Sequence, residues 1–107
     1  MPTTLEGPTI SEGDWDQLDV DCTDYLRTGE TVSSATMAEV DTADLTIGTV
    51  YVNSMAIDIL ERTVAISKAV YASVKGQKIA NSPYIVRVTI TTSAGRKRVV
   101  DCRFAVE

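Results

Sequence analysis

Five aspartates crowd around the single tryptophan: Asp14, Asp16, Asp19, Asp21 and Asp24 about Trp15. Oxygen donors at that density are the raw material of a calcium loop, but the stretch lacks the glycine at the sixth place and the closing glutamate that such a loop needs. A solvated acidic strand is expected instead, and no metal. Paired carboxylates do acid–base work only where an enclosed site pushes their pKa values apart, and nothing in the sequence shelters these. Cys22 and Cys102 stand eighty positions apart, which fits neither a metal knuckle nor a disulfide-dense secreted domain. They are read as two buried thiols. Histidine is absent, which removes the commonest general base, metal ligand and pH switch together.

The one basic cluster is Arg96-Lys97-Arg98. Without interleaved aromatics, in a chain of net charge −5, it is weak ground for nucleic-acid binding and is read as a protein contact. No Gly-rich phosphate loop, no G-x-S-x-G elbow and no Cys-x-x-Cys occurs. The expectation is a protein that is not an enzyme, with no cofactor, metal, nucleic acid or membrane partner.

The elements that would carry these residues are strands. Tyr84, Val86, Val88 and Ile90 alternate with Ile85, Arg87, Thr89 and Thr91, and Val100, Cys102, Phe104 and Val106 alternate with Asp101 and Arg103, so each run can bury one face. Ser93-Ala94-Gly95-Arg96 joins them as a hairpin. Earlier runs are Gln17 to Thr23, Thr31 to Val40, Leu45 to Asn53, Ala56 to Leu60 and Lys68 to Lys75. Met55 to Val64 also fits helical spacing, and strand is preferred there. Leu18, Val20 and Cys22 point inward, which leaves Asp19 and Asp21 outside. The predicted core includes Val20, Cys22, Val86, Val88, Ile90, Val100, Cys102 and Phe104.

About seven short strands with turns every eight to twelve residues predict an all-β fold, an immunoglobulin-like antiparallel β-sandwich with an extended N-terminal arm. The 107 residues suffice for one core. Residues 1–13, with Pro2, Gly7, Pro8 and Gly13, are the arm, expected to be clamped by a neighbouring subunit, and residues 14–107 the sandwich. The start shows neither a basic nor an apolar signal segment, so the expected place is a host cytoplasm or a particle assembled there.

Two stretches, Asp21-Cys22-Thr23-Asp24-Tyr25-Leu26 with Gly29-Glu30-Thr31-Val32-Ser33-Ser34-Ala35-Thr36, and Tyr84 onward to Thr91-Thr92-Ser93-Ala94-Gly95-Arg96, resemble the fiber–tail adaptor family of tailed bacteriophages. Leu45-Thr46, Asn53, Thr63 to Val70 and Gly76 follow in the family's order, so the likeness covers roughly residues 15 to 106. The chain departs from the family at Cys22 and Met37, where tryptophan is usual, and a second glycine commonly follows the position of Gly76. The resemblance implies an immunoglobulin-like virion structural protein that joins fiber or collar elements to the tail or neck. A head decoration protein and, less favoured at 6% aromatic residues, a carbohydrate-binding module are the alternatives.

Charge adds a partner surface. Residues 1–44 hold eleven acidic side chains and one basic, and residues 45–107 hold four acidic and nine basic. Asp14, Asp16, Asp19 and Asp21 are the candidate acidic interface and Arg96, Lys97 and Arg98 the basic one, meeting head to tail in a homo-oligomeric ring with other phage structural proteins as neighbours.

Overall fold

Alternation of β-branched residues with polar ones gives this chain strands over about half of its length. The computed structural model describes residues 3–7, 9–59 and 61–107. Its strands are β1 (Thr3–Glu6), β2 (Asp16–Asp21), β3 (Val32–Val40), β4 (Thr46–Ile47), β5 (Tyr51–Val52), β6 (Ile57–Ile59), β7 (Arg62–Val64), β8 (Ala69–Lys75), β9 (Tyr84–Thr92) and β10 (Lys97–Phe104). Single 3-10 turns at Thr23–Tyr25 and Ile79–Asn81 are the only helical segments among the described residues.

Two sheets face each other. The first has the order β1-β10-β9-β3, and the second runs β2-β8 with β4 and β5 both pairing to the far side of β8; β6 and β7 form a separate hairpin. The chain changes sheet between β1 and β2, between β2 and β3, between β3 and β4, and between β8 and β9. With β10–β9–β3 on one side and β2–β8–β4 on the other, this is the strand arrangement of an immunoglobulin-like sandwich. Tyr84 opens β9 at the corner between sheets. Its fully buried ring stacks on Phe104, centroids 5.6 Å apart, while its hydroxyl accepts from the Lys78 amide at 2.8 Å, six residues upstream. That is the tyrosine corner of such sandwiches.

All eight residues predicted for the core are buried, each at 2% exposure or less. All of them but Val100 fall in one apolar cluster, which also takes in Leu18, Val70, Val74 and Tyr84. Among the described residues ten strands replace the expected seven, for local reasons. Leu45 to Asn53 breaks into two at Gly48, whose amide donates to the Ser73 carbonyl at 2.8 Å and whose added Cβ would lie 3.4 Å from that oxygen. Within Met55 to Val64 the strands are Ile57–Ile59 and Arg62–Val64, paired as the β6–β7 hairpin, with Glu61 at φ 65° between them. Leu60, placed in the expected strand, lies outside the described residues.

The N-terminal segment needs a correction. It is extended, and the chain's own last strand already holds it, so no neighbouring subunit is needed to lay it down. β1 runs parallel to β10 with Thr3 opposite Val100 and Glu6 opposite Arg103. Ile10 bridges to Val106 and is completely buried. The Gln77 amide nitrogen donates to the carbonyls of Ser11 and Asp14, at 2.6 and 2.7 Å. One apolar side chain seated in the core and a run of backbone bonds are enough to lay the segment down. Met1, Pro2 and Pro8 of the expected arm lie outside the described residues.

Candidate functional site

Antiparallel pairing of β2 with β8 sets Asp16 opposite Val74 and Asp21 opposite Ala69, so the acidic candidates are spread along a strand about 17 Å long. At its far end the chain turns through Thr23–Tyr25 toward the β9–β10 hairpin. Asp21 there accepts from the Thr23 amide and hydroxyl, at 2.9 and 2.6 Å, and pairs with Arg62 at 3.3 Å. Arg62 also reaches Asp24, at 3.5 Å. Asp21 is therefore tied into the fold.

Arg96 is likewise committed. Its guanidinium forks onto Glu30, Nη2 to Oε1 at 2.5 Å and Nε to Oε2 at 2.9 Å, and Nη2 also donates to the Tyr25 carbonyl at 3.4 Å. Glu30 accepts further bonds from the Thr92 hydroxyl at 2.6 Å and the Arg27 amide at 2.9 Å. These donors hold its carboxyl far below the ordinary carboxylate range, the Arg96 bonds first among them. The expectation that Arg96 offers charge outward is thus corrected: only 23% of its side chain is exposed, and its charge is matched inside.

Lys97 and Arg98 remain, both exposed at the start of β10. Asp14 and Asp16 are exposed at the opposite end, beside Gln77, with Gly13 bonded to the Gln77 carbonyl. Asp19 sits between, half-buried, accepting from the Gln17 side chain at 2.6 Å. The seven candidates therefore form no single site. Four of them, two acidic and two basic, stand at opposite ends of a molecule 42 Å long.

An open groove of about 290 Å³ lies between Tyr71, Asp19 and the β5–β6 connection, with Asp58 on its rim. Its polar groups are mostly engaged. Asp58 accepts from Thr63 at 2.8 Å, and buried Asn53 makes four bonds, donating to the carbonyls of Met55 and Ala65 and accepting from the amides of Lys68 and Ala69. Asn53 is a clasp for the β6–β7 hairpin. Tyr71 is stacked against Tyr51 with centroids 5.5 Å apart, and Lys75 Nζ covers the Trp15 ring at 4.5 Å. Three aromatics thus gather at the outer face of the second sheet, with Trp15 and Tyr51 still more than half exposed. Among the described residues no three His, Cys, Asp or Glu side chains gather to hold a metal ion.

Sequence reasoning missed the buried polar hubs. Glu30, Asn53, Gln77 and Thr92 are each at most 4% exposed, and only the position of Glu30 three residues after Arg27, in a turn rich in Gly and Thr, hinted at a local capping role. Asp44 is a further hub, accepting from the Tyr84 hydroxyl at 2.7 Å and from Asn81 at 2.6 Å. Cys22 and Cys102 are buried and each remains a thiol. Burial, with Asp21 adding to it, pushes the Cys22 thiol up to about 12, the reverse of an activated nucleophile.

No protein-family model matches the chain, and no curated protein matches it.

Proposed function

We propose that this chain is a structural protein of a tailed bacteriophage particle, an adaptor or connector in the neck, collar, tail or fiber attachment region. It works by protein–protein contact, without catalysis or cofactor. One observation carries the reading. The two stretches that resemble the fiber–tail adaptor family, 21–36 and 84–96, meet in the fold: Glu30 binds Arg96 and Thr92, the Thr31 amide donates to Ser93 Oγ at 3.0 Å, and the Ser33 hydroxyl donates to the Thr91 carbonyl at 2.9 Å. The likeness therefore describes one interlocked end of a sandwich and not two scattered runs.

The surface is compatible with assembly end to end. Asp14 and Asp16 at one end and Lys97 and Arg98 at the other allow unlike ends to meet, and a heterologous contact whose rotation closes makes a ring. The test is composition and place: mass spectrometry of purified particles, then imaging of particles carrying a labelled chain. Density at the neck or tail supports the adaptor. Regular density over the head would make the chain a decoration protein, and its absence from washed particles overturns the reading.

A further inference from the structure

The first sheet ends at β3, whose outer edge pairs with no strand among the described residues, although β5 of the second sheet lies close to it. Among the described residues the only ladder made by β3 is the one with β9, and β3 is nine residues long. A free edge of that length is a template for another strand, and proteins ordinarily blunt such edges with lysine, proline or a bulge. Here the only irregularity is at Val32/Ser34, where the strand begins. From Ser34 to Ala38 the edge has no charge and no proline. The one ionisable side chain within β3, Glu39, is turned away to accept from the Thr42 hydroxyl and from the amides of Asp44 and Leu45, at 2.9 and 2.8 Å.

A second observation lies just inside that edge. Register with β9 puts Ala35 and Met37 on the inner face, opposite Ile90 and Val88. Both are only half-buried, as are Ile47, Val50 and Val52 on the facing margin of the second sheet, although all five pack against the core. At this margin β5 of the second sheet comes close to β3 across a narrow gap. Apolar side chains line this gap, whereas Ser34, Thr36 and Ala38 on the outer face are exposed.

We infer that this edge pairs two copies of the chain, β3 against β3 antiparallel, about a two-fold axis near Thr36 and Met37. Such a contact is self-complementary. It brings Ala35 and Met37 of one copy beside Met37 and Ala35 of the other. It also brings no like charges together along Ser34 to Ala38, which carry none, in a chain of net charge −5. The two-fold contact is distinct from an end-to-end one; the two together join rings in pairs, and it stands whether or not the chain belongs to a phage.

The experiment is sedimentation of the purified chain over a concentration series, with Thr36→Lys and Thr36→Glu alongside. Thr36 is exposed, so both variants are expected to keep the wild-type melting curve. Wild type is expected to form a dimer that dissociates on dilution. Each variant alone should dimerise at least about tenfold more weakly, because like charges meet across the axis, and an equimolar mixture should recover the dimer. Hydrogen exchange should show slowed amides within 34–40 in concentrated wild type only. A wild-type monomer at all concentrations, an undiminished variant dimer, a mixture that fails to recover, or slowed exchange elsewhere would each overturn the two-fold edge contact.

Discussion

Glu30 and Arg96, sixty-six positions apart, form a bidentate pair with contacts of 2.5 and 2.9 Å that locks the turn before β3 onto the β9–β10 hairpin. Only 3% of the Glu30 side chain is exposed. A carboxylate so enclosed stays ionised because two guanidinium bonds, a hydroxyl and an amide replace the water it has lost.

That enclosure predicts an acid-sensitive fold. The Glu30 pKa is depressed in the folded chain, whereas an unfolded glutamate titrates near about 4.3. Its stabilisation is then complete above that value and is lost as pH falls toward the folded pKa. Calorimetric midpoints should drop steeply below about pH 5 in wild type. Glu30→Gln should melt lower at pH 7 and depend less on pH in the acid range. Parallel acid limbs for the two proteins would show that Glu30 is not the group responsible.

Tyr84→Phe tests the corner. The phenol links the Lys78 amide to Asp44, and its loss leaves the amide unpaired, at a cost of about 1–3 kcal/mol. Burial and then the Asp44 bond raise the Tyr84 pKa. A raised folded pKa means stability is intact below the unfolded value of about 10 and is lost as pH rises through the folded one. Denaturant titrations of wild type should therefore weaken above about pH 10, with a smaller decline in Tyr84→Phe.

Strict alternation made β9, β10 and the core face of β2 legible from residue order alone, because Val86, Val88, Ile90, Val100, Cys102 and Phe104 all sit on one phase. Ile10 was hidden because one apolar residue between Pro8 and Gly13 has no period to announce it. Gln77 and Asn53 were hidden for the opposite reason: their burial is fixed by backbone groups far along the chain, Ser11 for one and Ala65 for the other. The partner surfaces were legible as charge but not as geometry, since nothing in Arg96-Lys97-Arg98 tells which of the three finds Glu30.

Two glycines with similar backbones should respond differently to alanine. Gly95 has φ +80° with open space around it, so Gly95→Ala should cost about 1 kcal/mol of left-handed strain. Gly76 has φ +92°, and an added Cβ would lie 2.4 Å from the Asp44 carbonyl oxygen. Gly76→Ala adds backbone displacement to the strain, about 3 kcal/mol or more in total. Urea midpoints of the two variants give the comparison; equal losses would mean that the 75–77 turn yields without resistance.

The end-to-end contact makes the last prediction, and Arg96 decides how it must be tested. Reversing all three of Arg96, Lys97 and Arg98 would confound assembly with folding, because Arg96→Glu sets a second carboxylate against buried Glu30 with no cation to balance either. Lys97 and Arg98 are exposed, and their reversal changes the surface alone. Lys97→Glu with Arg98→Glu should keep the wild-type melting curve and lose any association between unlike ends at low salt. Arg96→Glu should lower the melting temperature whatever the salt. Attraction between these ends should also fade in wild type as salt rises, since the Debye length shrinks from about 10 Å at 0.1 M to about 3 Å at 1 M. Light scattering read at both salt concentrations, on wild type and on the double reversal, separates this contact from the uncharged β3 edge, which salt leaves standing. If the double reversal assembles into rings as well as wild type does, the ends are not joined by charge.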